Sequence, residues 1–208
     1  KIYPWRFGRI APFLVHSVAR ASGEKLLDHL LEKARRRQYQ HLSIRIDAAD
    51  YGATQILESR GFYLVDSSVK LSACLDDIPH MASPPSARSM TLRPYEAPDR
   101  EAVMRIAAET HSINHFFNDP WLDREDSERL FARWVERCCD GLASQVFVLE
   151  KAGRVEGFAV YLSPGGLNKA LGTRIAILDF ICLTPAARGA GIGRWMVSQT
   201  AHKLNDQP

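Results

Sequence analysis

The sequence predicts an α/β fold, and three observations carry that prediction. Segments with the 3.6-residue period of amphipathic helices alternate with segments of period-two or continuous apolar character. A glycine-rich run, Arg188 to Arg194, stands between a strand pattern and a helix pattern. The composition, 46% hydrophobic and 25% charged over 208 residues, is that of a globular chain able to bury a sizeable core. It excludes disorder, collagen and coiled-coil rods.

Prolines divide the chain. Five of the eleven, Pro79, Pro84, Pro85, Pro94 and Pro98, fall within twenty residues, and 83–89 is small and polar, which marks a linker. The expected organisation is a first segment over 1–75, a linker over 76–90 and a second segment over 91–208. In the first, Glu24–Gln38 carries Leu26, Leu27, Leu30 and Leu31 at helical spacing, and Leu42, Ile44 and Ile46 alternate as a strand does. Gln55–Ser59 reads as a short helix stopped at Gly61, which can take the left-handed conformation, and Phe62–Leu75 returns to strand composition.

In the second segment a strand near Thr91–Arg93 precedes two helices, Asp99–Thr110 and Arg124–Cys139. The former carries Val103, Ile106 and Ala107 on one face. The latter has Asp123 as N-cap and Leu130, Phe131, Trp134, Val135 and Cys138 as its expected buried stripe. Strands over Gln145–Lys151 and Arg154–Leu162 meet at Ala152-Gly153, a hairpin signal. After a Pro-Gly-Gly loop at 164–166, Arg174–Leu183 is expected as a long strand and Gly191–Leu204 as a helix.

Charge and apolar patterning narrow the partners. The 27 basic and 24 acidic residues give a net charge of +3, too little to argue for nucleic acid without a localised stripe. Arg35-Arg36-Arg37 closes a helical pattern, where cations suit the helix dipole. Ile175–Leu183, interrupted by Asp179, falls far short of the roughly 18 apolar residues of a membrane span. Four cysteines without C-x-x-C spacing read as reduced thiols, with neither a disulfide framework nor a zinc site expected. No charged segment, apolar stretch and cleavage site open the chain, so the cytoplasm is the expected location.

The sharpest signal is Arg188-Gly189-Ala190-Gly191-Ile192-Gly193-Arg194. Glycines there let several backbone N–H groups converge on one spot, and the following helix adds its positive end, an arrangement that binds phosphate. A strand-to-helix turn that merely needs glycine is the competing reading. Neither the dinucleotide fingerprint G-x-G-x-x-G nor the G-x-x-x-x-G-K-[ST] loop fits.

The run Asp179-Phe-Ile-Cys-Leu-Thr-Pro185-Ala-Ala-Arg188-Gly-Ala-Gly-Ile-Gly193 resembles the acyl-CoA-binding motif of the GNAT N-acyltransferases, a strand, a proline and then Arg/Gln-x-x-Gly-x-Gly/Ala. The resemblance implies the GNAT acyl-CoA N-acyltransferase fold, a mixed sheet flanked by helices, over most of the second segment. It implies acetyl-CoA as cosubstrate, with its pyrophosphate held around Arg188, Gly189, Ala190, Gly191, Gly193 and Arg194. Backbone groups of Ile181 and Leu183 are then expected to pair with the pantetheine arm. The stretch His111-Ser-Ile-Asn114-His115-Phe-Phe-Asn-Asp119-Pro120, followed by the helix bearing Phe131 and Trp134, is similar to the matching stretch of TDP-fucosamine acetyltransferases. Those enzymes place a partial, noncatalytic GNAT-like half-domain first, and residues 1–75 suit that role. There Leu57 stands where an active copy usually has tyrosine.

The implied reaction is acetyl transfer to a primary amine, most of all that of a nucleotide-linked deoxyamino sugar; acetylation of a protein N-terminus or lysine, or a noncatalytic CoA-binding module, are the alternatives. The expected partner is thus a small-molecule amine, with no nucleic acid and no membrane, and a homodimer remains open. Asp179 is the one ionisable residue inside the apolar strand, and alternation places it on the face of Ile177 and Ile181. It is the candidate general base, with a structural carboxylate as the other reading. His111, Asn114, His115 and Asp119 are the candidate substrate contacts, with helix capping the competitor for Asp119. The His111/His115 spacing lacks the glutamate of H-E-x-x-H, so no metal is expected. Phe131 and Trp134 are expected in the core.

The resemblance also implies a further strand, helix and closing strands after Leu204, including a general-acid tyrosine. Since only Asn205–Pro208 follow and the chain starts at Lys1, the polypeptide is expected to continue. The rival expectation is that Leu42–Leu75, read as strand–helix–strand, takes that place in cis or from a second copy.

Overall fold

The computed structural model describes residues 7–10, 20–110 and 115–205. The chain divides into two compact units, Lys1–Ser67 and Ser68–Pro208.

In the first unit, β1 (Phe7–Ile10) pairs in parallel with β2 (His41–Ile44), Ile10 lying opposite Ile44. A parallel pair needs a crossover connection, and α1 (Arg20–Arg36) lies within it. Lys33, Arg35 and Arg36 sit in its last turn, against the negative end of the dipole. Beyond it Gln38 takes a left-handed φ of 57° and the Tyr39 N–H donates to the Ala34 carbonyl at 3.1 Å. α2 (Tyr51–Glu58) starts where Asp50 Oδ1 accepts the Ala53 N–H at 2.9 Å. It stops where Gly61, at φ 85°, lets the Phe62 N–H reach the Leu57 carbonyl. Leu27, Ala53, Ile56 and Leu57 form the buried core.

The strand expected over Phe62–Leu75 is absent: the segment is irregular up to a short 3₁₀ turn at Leu75–Asp77, and Leu64, Val69 and Leu71 are each more than 80% exposed. Strand composition stabilises a strand only where another edge pairs with it. The rival strand–helix–strand over Leu42–Leu75 therefore lacks its second strand.

The second unit is built on one antiparallel sheet, β3 (Met90–Pro94), β4 (Gln145–Lys151), β5 (Arg154–Leu162) and β6 (Ile177–Leu183), in that order. Between β3 and β4 lie α3 (Arg100–Thr110), α4 (His115–Asn118) and α5 (Arg124–Arg137), and α7 (Ile192–Asn205) follows β6. Period-two alternation splits the strands cleanly. Val146, Val148, Phe158 and Val160 pack with Val103 and Ile106 of α3 and Phe131 and Val135 of α5. Phe147, Leu149, Ala159 and Tyr161 pack with Ile192, Trp195 and Met196 of α7. A sheet covered by helices on both faces is the architecture the resemblance implied, although the four described strands of this unit pair antiparallel throughout.

Asp123 caps α5 as expected, its Oδ1 accepting the Glu125 N–H at 2.8 Å. One element lies where a loop was expected: α6 (Gly165–Leu171), with Gly172 left-handed behind it at φ 62°. Glycines cost a helix about 1 kcal/mol each. Asn168 offsets this by bonding both backbone groups of Ile175, at 3.0 and 3.1 Å, a contact between chain segments that local spacing does not reveal.

The proline-rich stretch is tied to α7. Buried Ser198 donates to the Pro79 carbonyl at 2.8 Å and accepts the Met81 N–H at 3.0 Å, and Gln199 donates to the Met81 carbonyl at 3.1 Å. Ser198→Ala strands two backbone groups at once, and an equilibrium urea melt is expected to show a loss of about 1–3 kcal/mol. No helix among the described residues is long and apolar enough to cross a membrane, and among them no group of three or more His, Cys, Asp or Glu could hold a metal ion.

Candidate functional site

The strand leading to the glycine run is irregular at one point. Val160 pairs with Phe180 but Tyr161 pairs with Leu178, so Asp179 is the extra residue of a β-bulge. Simple alternation puts Asp179 on the face of Ile181, and the bulge overturns that. Ile181 packs in the α7 layer, whereas the Asp179 carboxylate meets α5, where Trp134 Nε1 donates to its Oδ2 at 2.8 Å.

Trp134 is accordingly not part of the buried stripe. Burial on α5 follows Phe131, Val135 and Cys138, at i, i+4 and i+7, and leaves Trp134 38% exposed. At about 100° per residue it lies at the margin of that stripe, able to reach the bulge with its N–H. A tryptophan one position off the stripe is the signal that sequence reasoning missed.

Burial disfavours the thiolate at both neighbouring cysteines. Burial, aided by the Asp179 charge, pushes Cys138 up to about 11. Burial also raises Cys139, against a hydrogen bond from Tyr95 that lowers it. Tyr95 and Tyr161 are both raised, in each case mainly by burial. The Tyr161 hydroxyl lies 2.6 Å from Thr200 Oγ1 of α7, in the opposite layer from Trp134.

At the far end of β6, Thr184 closes the strand by donating its N–H to the Glu156 carbonyl at 2.8 Å and its hydroxyl to Glu156 Oε2 at 2.5 Å. A 3₁₀ turn, Pro185–Ala187, follows. Arg188 Nε then folds back onto the Leu183 carbonyl at 3.0 Å, so this carbonyl, expected to serve the pantetheine arm, already has a donor. Gly189 and Gly191 are left-handed at φ 84° and 76°, and a Cβ on either meets nothing within 4 Å. The helix begins at Ile192, with the Trp195 N–H donating to the Gly191 carbonyl at 3.0 Å. Two left-handed glycines face open space next to the N–H groups of a first helical turn, groups whose chemistry suits an anion. A Cβ on Gly193 makes only ordinary contact, 3.5 Å from Leu183 Cδ1. Gly189, Ala190, Gly191 and Arg194 are exposed, whereas Ile181 and Leu183 are half-buried toward α7.

His111 and Asn114 lie outside the described residues. His115 is half-buried, its ring 4.0 Å from that of Phe116. Asp119 is 6% exposed and accepts the Trp121 N–H at 3.0 Å, which turns its carboxylate into the α4–α5 connection.

The chain shows partial likeness to known proteins. No family model matches the chain. The spore coat polysaccharide biosynthesis protein SpsD of Bacillus subtilis (strain 168) is 28% identical over 155 residues, 72% of this chain and 47% of that protein, so the chain spans about half the length of the curated relative it matches. Among solved structures, a GNAT family acetyltransferase from Brucella melitensis in complex with acetyl-CoA is 17% identical, with a TM-score of 0.40 over 56% of this chain and 68% of that one. A histone acetyltransferase HPA2 and related acetyltransferase from Corynebacterium glutamicum is 19% identical, with a TM-score of 0.42 over 57% and 74%.

Proposed function

We propose that this chain belongs to an N-acetyltransferase of the GNAT type that moves acetyl from acetyl-CoA to a primary amine. The observation that carries the reading is the cradle at 188–194, where left-handed Gly189 and Gly191 leave room for a pyrophosphate before the α7 N-terminus. Gly189, Ala190, Gly191, Gly193, Arg188 and Arg194 hold the nucleotide end of the cosubstrate, and β6 receives its arm through Ile181 and Leu183. Asp179 accepts a proton from the acceptor's ammonium. The freed nitrogen lone pair attacks the thioester carbonyl carbon, the C–S bond breaks, and the thiolate leaves; the products are the amide, the CoA thiol and one proton.

The favoured acceptor is the amine of a nucleotide-linked deoxyamino sugar, with His111, Asn114 and His115 as its contacts, while buried Asp119, whose carboxylate accepts the Trp121 N–H, holds the connection behind them. Similarity to a polysaccharide biosynthesis protein supports that class. The first unit is read as a degenerate partial copy of the same fold, supported by the position of Leu57, 3% exposed in its core.

Calorimetric titration with acetyl-CoA tests the reading. The wild type is expected to bind, and Gly191→Val to bind at least about tenfold more weakly, because a β-branched residue at φ 76° costs roughly 1–2 kcal/mol and fills the cradle. A folded wild type that binds no form of CoA would sink the proposal. A thiol-release assay comparing amino-sugar nucleotides with peptides then identifies the acceptor class, and binding without turnover on any amine points to a noncatalytic module.

A further inference from the structure

We infer that Trp134 is the positioning residue of the Asp179 carboxylate, and that the pair forms the subsite for the acceptor's amine; the inference rests on the acetyl-transfer reading above. Three observations bear on it. The bulge at Asp179 takes its side chain out of the strand's alternation and turns it toward α5. Trp134 Nε1 holds Oδ2 at 2.8 Å, and Oδ1 has no hydrogen bond among the described residues. Both side chains are exposed, although they border a layer in which Phe131, Val135 and Cys138 are buried.

The chemistry of the donor matters. An indole N–H donates one hydrogen bond and carries no charge, so it fixes the carboxylate's rotamer without neutralising it, which an arginine fork would do. Burial pushes the Cys138 thiol up to about 11, so it adds no competing anion at neutral pH. Oδ1 is thereby presented at a fixed place to a cation. The exposed face of the Trp134 ring offers apolar contact beside it, which suits a primary ammonium carried on a body with an apolar face, such as the C–H face of a saturated ring. No ion pair joins Asp179 to a basic residue among the described residues, so an ammonium ligand displaces nothing.

Two measurements test this. The indole N–H resonance of Trp134 is identified by its loss in Trp134→Phe. It is expected to move upfield in Asp179→Asn, where the acceptor is neutral, while the other indole resonances stay. In steady-state kinetics Trp134→Phe is expected to lower kcat/KM for the amine about tenfold or more, with acetyl-CoA affinity unchanged. Trp134→His, which keeps a ring N–H, recovers part of the loss. In the Asp179→Asn background the same Trp134→Phe change costs about twofold or less, because the partner is already impaired. A Trp134 resonance indifferent to Asp179→Asn, full activity in Trp134→Phe, or losses that simply multiply would each overturn the inference. A wild type that acetylates no amine overturns the acetyl-transfer reading and the subsite with it, while the resonance alone then decides whether Trp134 positions the carboxylate.

Discussion

Asp179→Asn is expected to lower acetyl transfer at neutral pH by roughly 10²–10⁴ while leaving acetyl-CoA affinity unchanged. Asparagine keeps the size of the side chain, and its amide oxygen can still accept the Trp134 N–H that now lies 2.8 Å from Oδ2. What it loses is the ability to take a proton. The substitution thus separates chemistry from position, and its effect corresponds to about 3–5 kcal/mol of barrier. The cradle lies beyond the C-terminal end of β6, after a proline turn with its own hydrogen bonds, so cosubstrate binding has no reason to follow. Single-turnover rates with titrated acetyl-CoA check both halves. An unchanged rate reduces Asp179 to a structural carboxylate on a bulge.

Gly157→Ala is expected to destabilise the second unit by about 1–3 kcal/mol, and Gly157→Val by more. Gly157 pairs with Leu183 across the β5–β6 seam, and a Cβ there would stand 2.5 Å from Leu183 Cδ2 and 2.7 Å from the Cys182 carbonyl oxygen. The leucine side chain can swing away. The carbonyl belongs to the ladder and cannot move without opening the seam, which is why the cost does not relax to zero. Leu183 also approaches Gly193 and gives its carbonyl to Arg188, so a displaced Leu183 transmits the strain to the cradle. Urea melts of the variant, followed by acetyl-CoA titration of the folded fraction, are expected to show weakened binding as well as lowered stability. A variant with wild-type midpoint would mean that the seam yields more freely than its packing suggests.

Much of the scaffold was legible from local chemistry. The unbroken apolar runs Val146 to Leu149 and Phe158 to Tyr161 suit strands buried on both faces, and they appear between two packed layers. Asp123 was recognisable as a cap because only a short polar side chain can reach the N–H groups of a first helical turn. The glycine turn before α7 was recognisable because left-handed backbone is open to glycine at little cost, and Gly189 and Gly191 both adopt it. Each of these is decided within a few residues of chain.

The remainder depends on which distant segments meet. Phe62–Leu75 has the composition of a strand, yet no neighbouring edge pairs with it and it stays irregular. Pro164-Gly165-Gly166 reads as a loop, yet α6 begins at Gly165, with Asn168 bonding both backbone groups of Ile175 seven residues on. Asp179 stood out in the sequence as a lone carboxylate in an apolar strand, but its direction was set by a register shift against β5 that no pattern in β6 records. Trp134, 45 positions earlier, was placed in the core by its spacing, and only the docking of α5 beside that bulge made it the carboxylate's donor. Periodicity and turn chemistry act along the chain, whereas register, docking and hydrogen bonds between remote side chains are settled by the summed packing of the whole unit, and that is where this candidate site acquires its geometry.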